Sequence, residues 1–437
     1  MLVGWIAVNS DLLQLRQAAE ILGVPIETIR RWAKKGLIKP TLNHLNDRVF
    51  NMDELRRMQS NYQWGDSEAP ELKVLKHSET NYNVIELFSG CGGMALGFEN
   101  AGLQTKLLVE IEKNAVATLR KNRPQWNVVS DDIKNVNFGE YYGSVEIVAG
   151  GFPCQAFSYA GKGLGFGEPR GTLFFEFLRA VNEVRPKIAV GENVRGLLQH
   201  DGGRTLATML HCLKESGYRP MFHLVRAQFL DVPQKRERLI IVAIRDDFDA
   251  IHLFPKEHDY TVTLRQAFQN VPLSVGYTYS ARKYEIMKQI PPGGYWRDLP
   301  DDLQREFMGA SYFQAGGRTG MARRLSMDEP SLTLTCNPAQ KQTERCHPIE
   351  TRPLNVREYA RLQTFPDDWE FCGAVSSQYK QIGNAVPVNL GYHVGRSLIS
   401  MLDGKKNPND FYVKSEGKQI EGKPWDKNQL ELVLGGN

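Results

Sequence analysis

Two short stretches of this 437-residue chain carry residue types able to do chemistry. In the first, Val84-Ile85-Glu86-Leu87-Phe88 reads as a strand and runs into Ser89-Gly90-Cys91-Gly92-Gly93, after which a helix opens at Met94. Glycine has no Cβ, so such a turn lets backbone approach a ligand closely. About twenty residues on, a second strand ends at Glu110 and Ile111, where an acidic residue takes ribose hydroxyls in dinucleotide folds. A third strand leads to Asp131-Asp132-Ile133, placed to meet an adenine ring. These features suit a nucleotide-like cofactor, in either a nicotinamide enzyme or a methyltransferase. The third glycine of the pyrophosphate pattern is missing, which disfavours NAD. In the second stretch, Gly150-Gly151-Phe152-Pro153-Cys154-Gln155 follows an apolar strand. A thiolate is a strong nucleophile that can later leave. Without further context, a free cysteine is more often a packed thiol.

These residues need a frame. Strand-like runs at 84–88, 107–111, 146–149, 187–190 and 238–244 alternate with helical stretches such as 114–121, 173–183 and 205–216. That alternation predicts a doubly wound α/β sheet. It stops near Phe254, and residues 255–351 are rich in Gly, Pro, Arg and aromatics, as expected of a loop-rich domain. Regular texture returns from Asn355 to Leu402. The length predicts more than one domain. The expected divisions are a small unit at 1–60, a linker at 61–82, an α/β domain at 83–254 and 352–403, an insert at 255–351, and a polar, mobile tail at 404–437.

In the small unit, residues 17–22 read as a helix, Gly23-Val24-Pro25 as a tight turn and residues 26–35 as a second, basic helix. This is a helix-turn-helix pattern, with Arg30, Arg31, Lys34 and Lys35 forming a cationic face suited to the major groove. A small helical docking module is the bland alternative. Together with Gly36-Leu37-Ile38 and Arg48-Val49-Phe50 further along the chain, the pattern resembles the winged helix-turn-helix of MerR-type regulators over roughly forty residues.

Composition narrows the classes. Net charge is +4, so nucleic-acid contact must come from local basic patches. Six cysteines show neither a disulfide framework nor a zinc ribbon; Cys336 and Cys346-His347 are the nearest approach to a ligand set, and no metal is expected. Free thiols imply a reducing compartment. Neither a leader nor a membrane span is expected.

Around Cys154 the sequence resembles the cytosine-C5 DNA methyltransferases. Further blocks follow in that family's order: Arg170-Gly171-Thr172-Leu173-Phe174-Phe175, Glu192-Asn193-Val194, Gln234-Lys235-Arg236-Glu237-Arg238, Arg357-Glu358-Tyr359-Ala360-Arg361-Leu362-Gln363 and Gln381-Ile382-Gly383-Asn384-Ala385-Val386-Pro387. The resemblance spans nearly all of residues 84–402. It implies a Rossmann-like fold, S-adenosylmethionine as cofactor and duplex DNA as substrate. It makes Cys154 the nucleophile that adds to cytosine C6, Glu192 the acid facing N3, and Arg238 the contact to the carbonyl oxygen, supported by Arg236. A carboxyl must hold a proton for that role, a state that burial favours. The implied cofactor contacts are Phe88, Ser89, Gly90, Cys91, Gly92, Gly93, Glu110, Ile111, Asp132, Ile133, Gly151, Leu173, Asn384 and Val386. In a duplex, stacked neighbours cover the ring face that the thiolate must reach, so the base must flip out. The glycine-rich loop at 160–167 is placed to close over it.

The same resemblance makes residues 255–351 a target-recognition domain. Arg318, Arg323 and Arg324 are candidate guanine readers or phosphate contacts, and Thr333 matches a Thr-Leu element near the flipped base. Implied partners are duplex DNA and a cognate restriction endonuclease without a stable complex. The expected setting is a monomer on its methylation target, in the bacterial cytoplasm and associated with the nucleoid. Rival readings are methylation of RNA cytosine, a transcription regulator with a dead enzyme domain, and a nicotinamide dehydrogenase.

Overall fold

The computed structural model describes residues 12–22, 26, 29–30, 33, 39–42, 47–51, 72–153, 173–314, 316, 318–405 and 411–414. At the N-terminus, β1 (Leu12–Gln14) leads into α1 (Leu15–Leu22); β2 (Thr41–Leu42) and β3 (Arg48–Asn51) follow, and β3 pairs antiparallel with both β1 and β2. Ile26, Ile29, Arg30 and Ala33 are helical, as the sequence predicts. Ala18, Ala19, Ile29 and Phe50 form the small core of this unit.

The main domain follows as β4 (Asn83–Leu87), α2 (Gly93–Ala101), β5 (Gln104–Val109), α3 (Lys113–Asn122), β6 (Val128–Val129), β7 (Ile147–Gly150), α4 (Leu173–Val184), β8 (Ile188–Val194), α5 (Arg204–Glu215), β9 (Tyr218–Arg226), β10 (Gln234–Lys235), β11 (Glu237–Arg245) and β12 (His252–Pro255). Seven of these strands form one sheet in the order β6-β5-β4-β7-β8-β11-β9. β11 runs antiparallel to both neighbours and the other pairings are parallel. β4 and β7 are nearly wholly buried, which explains their continuous apolar runs.

Successive side chains of the central strands face opposite layers. Ile85, Leu87 and Val148 pack against Phe174, Phe177, Leu206 and Met209 of α4 and α5. Val84, Ile147, Ala149 and Val242 pack against Met94 and Phe98 of α2 and against Leu390, Val394 and Leu398. The edge strand β9 is not among the strands the sequence predicts, and it contains Pro220. Proline is tolerated there because an edge strand leaves one side of its backbone unpaired.

The insert holds α6 (Leu264–Ala267), α7 (Ala281–Lys288), α8 (Asp301–Met308) and β13 (Ser331–Leu332), which pairs with β10. Its own core gathers Ile286, Met287, Ile290, Trp296, Phe307 and Met321. The chain then forms α9 (Val356–Leu362), α10 (Val375–Asn384) and α11 (Val388–Leu402). α11 returns to the sheet and crosses α2 closely. A Cβ on Gly97 would lie 2.5 Å from the Val388 carbonyl oxygen, so the crossing admits no larger residue there.

Two segments expected to be loose are ordered. Residues 72–80, within the expected linker, run along the main domain. His77 N donates to Asn100 O at 2.7 Å and Thr80 N to Gly102 O at 2.7 Å. Leu75 N donates to Asn389 Oδ1 at 3.1 Å, and Leu72 and Val74 pack on a core cluster. Backbone hydrogen bonds satisfied by the domain turn a polar stretch into a strap. In the tail, β14 (Phe411–Lys414) pairs with β12, and Tyr412 stacks on His223 at 5.0 Å. Among the described residues, no helix is long and apolar enough to cross a membrane.

Candidate active site

A cavity of ≈ 580 Å³ opens at the carboxyl ends of β4, β5, β7 and β8. In open α/β sheets ligands bind at that end of the strands. The first glycine-rich stretch forms one wall. Phe88, with φ 58, and Gly90, with φ 54, adopt left-handed backbone in the turn. For Phe88 that conformation is strained, and such strain persists where the surroundings enforce it. Gly93 begins α2 against the returning chain, where a Cβ would lie 2.1 Å from the Val386 carbonyl oxygen. Glu110 reaches back into the turn: its Oε2 accepts from Gly90 N at 2.7 Å and its Oε1 from Glu112 N at 2.8 Å.

The reactive end of the cavity lies on β8 and β11. Their antiparallel register sets Glu192 opposite Ile240 and Arg238 opposite Val194. Glu192 and Arg238 are therefore diagonal neighbours on one face, and Arg238 Nε meets Glu192 Oε1 at 2.7 Å, with both side chains largely buried. Gly151 packs closely under this pair: a Cβ there would lie 3.1 Å from Glu192 Oε2. Asn193 Nδ2 donates to Phe152 O at 2.8 Å, and the Phe152 ring is held 5.4 Å from both Phe174 and Phe177. The backbone entering Pro153 is thus fixed from two sides. Pro153 lines the cavity. Cys154, Arg170 and the glycine-rich loop at 160–167 lie outside the described residues.

Arg236 is buried behind this face. Its Nη2 donates to Gly383 O at 3.1 Å and to Ala385 O at 2.9 Å. Gln234 bonds Gln363 Oε1 at 2.9 Å, and Gln363 Nε2 bonds Ile382 O at 2.7 Å and Ala385 O at 3.0 Å. This network ties the turn before β11 to the segment that brings Asn384 and Val386 into the cavity. Arg236 also lines the cavity while holding that segment in place.

Of the expected cofactor residues, Phe88, Ser89, Gly90, Cys91, Gly93, Glu110, Gly151, Asn384 and Val386 line the cavity. Gly92 faces Leu119 and Trp369 instead. Ile111 is 64% exposed beside Glu110. Asp132, Ile133 and Leu173 are not among the lining residues; Ile133 is buried in the α4-side core, and Asp132 Oδ1 caps its own turn at Lys134 N, 3.0 Å.

Sequence reasoning missed Glu86, Glu112, Asn193, Ser377 and Lys380, all of which line the cavity. Glu86 had a readable signal, a lone carboxyl inside an otherwise apolar strand. It is 2% exposed, and its Oε2 has no hydrogen-bond partner. Burial pushes its carboxyl well above the usual range, and the neighbouring charges of Glu110 and Glu192 add to this. A carboxyl raised in the fold lowers stability as pH climbs from about 4, its unfolded value, through its folded value. Glu86→Gln is therefore expected to melt higher than the parent, with a gap that widens as pH rises. Melting curves across pH check this, and a constant gap would show that Glu86 ionises no differently when folded.

The candidate recognition residues are all held by hydrogen bonds within the protein. Arg324 is 3% exposed; its Nη1 donates to His347 O and Glu350 O, each at 3.1 Å, and its Nη2 to Met287 O at 2.8 Å. Arg324 thereby ties the segment at 347–350 to α7 inside the insert. Arg323 Nη1 bonds Gly293 O at 3.1 Å and its guanidinium lies over the Tyr295 ring. Arg318 bonds Ser311 O, and Thr333 Oγ1 bonds Lys235 O at 2.6 Å. All three are half-buried. Arg30 is exposed on the N-terminal unit, whereas Arg31, Lys34 and Lys35 lie outside the described residues.

The sheet, with its single antiparallel strand beside one edge, and the cavity at its carboxyl end define a Rossmann-like methyltransferase. Residues 82–400 match the C-5 cytosine-specific DNA methylase family, and residues 13–64 match the MerR HTH family of regulatory proteins. The chain is 53% identical over 420 residues to the Type II methyltransferase M.Eco47II of Escherichia coli, covering 92% of this chain and 99% of that protein. It is 48% identical over 406 residues to M.PspPI of Psychrobacter sp. (strain TA137), covering 90% and 97%. Its fold is similar to Spodoptera frugiperda DNMT2, with a TM-score of 0.53 and 17% identity over 73% of this chain and 100% of that one. A like similarity holds for the Entamoeba histolytica methyltransferase EhMeth, with a TM-score of 0.54, 17% identity and coverage of 74% and 99%. The chain belongs to the C-5 cytosine-specific DNA methylase family. It is a DNA cytosine-5 methyltransferase whose methyl donor is S-adenosylmethionine.

Proposed function

We infer that this enzyme methylates C5 of a flipped cytosine in a short duplex target through a covalent adduct between Cys154 and cytosine C6. It serves as the modification partner of a Type II restriction system in the bacterial cytoplasm. The observation that carries this reading is the Glu192–Arg238 pair at the cavity wall, on the same face as Pro153 and in one cavity with the glycine turn and Glu110. The cavity fits the cofactor: its volume suits a small ligand, the Glu110 and Glu112 carboxylates suit a cationic group, and the unpartnered Glu86 Oε2 offers a further polar atom. S-adenosylmethionine supplies an electrophilic methyl on a sulfonium.

The residues divide the work. Glu110 holds ribose hydroxyls while shaping the turn. The Cys154 thiolate adds to C6, breaking the C5–C6 double bond and sending electron density towards N3. Glu192 delivers a proton at N3, and Arg238 holds the carbonyl oxygen at O2. The contact between the two side chains orients both for the pyrimidine edge, and Glu192 takes up the proton it delivers once the base is bound. C5 then takes the methyl, and loss of the C5 proton with departure of the thiolate restores the ring. Residues 255–351 read the target as a recognition insert, and the N-terminal unit binds a separate DNA site to regulate transcription of its own operon, a role its MerR-like match supports.

Labelled methyl transfer to duplex DNA, to tRNA and without acceptor tests the reading. Label in duplex DNA alone supports it; label in tRNA alone overturns it. Sequencing of converted genomic DNA from an expressing host then identifies the target.

A further inference from the structure

Away from the cavity, three side chains far apart in sequence converge. Asp231 lies between β9 and β10, His258 follows β12 at the entry to the insert, and His393 is on α11. One donor atom from each lies within 4.8 Å of the others. His393 Nε2 is 2.8 Å and His258 Nε2 3.2 Å from the same oxygen, Asp231 Oδ2. The other oxygen, Oδ1, accepts from Tyr260 OH at 2.6 Å.

We propose that Asp231, His258 and His393 form a binding site for one divalent first-row transition cation of the zinc type. The donor chemistry fits, since two imidazoles and a carboxylate are a common three-ligand set with room for water as a fourth ligand. Donors around a tetrahedral zinc stand about 3.4 Å apart, given metal–ligand lengths of about 2.0–2.2 Å. The two His–Asp separations, 2.8 and 3.2 Å, are somewhat shorter, and a small outward shift of the rings admits the ion. Both rings are held in place: His258 stacks on Tyr260 at 4.8 Å and meets His393 edge-on at 5.5 Å. Tyr260 on the second carboxylate oxygen is the kind of outer partner that orients a ligating carboxylate. The His258 side chain is 35% exposed, which leaves a route for the ion and its water.

The site's place in the fold gives it a role. Asn389 Nδ2, on α11, donates to both Asp231 O and Lys73 O at 2.9 Å. A cation here fastens α11, the turn leading to Arg236 and Arg238 and the start of the insert to one another, beside the point where Asn389 holds the strap. It is a structural staple, and binding to the folded state raises stability by mass action.

The test uses the full chain, dialysed against a chelator and titrated with zinc, with magnesium as control. The expected result is one zinc per chain at micromolar free metal, with a melting temperature raised by several degrees, and no effect of magnesium. His393→Gln and His258→Ala are each expected to lose both effects while melting cooperatively without metal. Asp231→Asn, which keeps the side-chain shape, guards against a variant that fails to fold. Zinc binding that persists unchanged in these variants overturns the proposal. So does a melting temperature that ignores zinc and follows only pH, since that marks a purely hydrogen-bonded His–Asp–His clamp.

Discussion

Cys154→Ser is expected to lose nearly all methyl transfer while retaining cofactor and DNA binding. A serine hydroxyl ionises far less readily than a thiol, so almost no anion is present to attack C6. Without that addition C5 remains too poor a nucleophile to take the methyl, however well the cofactor is held. Glu192→Gln supplies the companion measurement. Loss of a positioned proton donor typically lowers turnover by about 10²–10⁴-fold, and glutamine also breaks the ion pair that orients Arg238. Trapping with a 5-fluorocytosine duplex separates the two roles: the parent enzyme forms a covalent complex, Cys154→Ser forms none, and Glu192→Gln forms it slowly. Wild-type turnover by the serine variant would remove Cys154 from the mechanism.

The second large effect is expected from where the N-terminus is cut. A chain starting at residue 72 keeps the strap and should methylate with full specificity. A chain starting at residue 81 loses the bonds from Leu75, His77 and Thr80 to Asn389, Asn100 and Gly102, together with the packing of Leu72 and Val74. At about 1 kcal/mol net for each hydrogen bond, the shorter chain should melt well below the longer one. Both lack the N-terminal unit, so both should lose binding to upstream DNA. Arg31→Ala in the full chain should reproduce that loss without changing methylation, and the binding should weaken steeply with salt as phosphate contacts release counterions. Mobility shifts and methylation assays on the same samples read both effects. Equal melting of the two truncations would show that the strap is ornamental. Upstream binding retained by the chain from 72 would remove the helix-turn-helix from DNA recognition.

Much of this protein was legible in the sequence because its determinants are local. The glycine turn, the apolar strands and the helices between them depend on neighbours a few residues away. The core strands and the helices α3, α4 and α5 accordingly fall within a few residues of their expected places. Motif order along the chain was likewise enough to select Glu192 and Arg238. Tertiary structure decided how such residues meet. The register of β8 on β11 pairs Glu192 with Arg238, and the return of α11 across Gly97 brings Asn384 and Val386 to a turn almost three hundred residues earlier. It also decided which polar residues are buried. Arg323 and Arg324 look alike in sequence, yet the first is half-buried and the second 3% exposed, tied to the carbonyls of Met287, His347 and Glu350. Glu86 faces a cavity, and Asp231, His258 and His393 share one point in space, because strand pairing and helix packing bring together side chains that no local pattern relates.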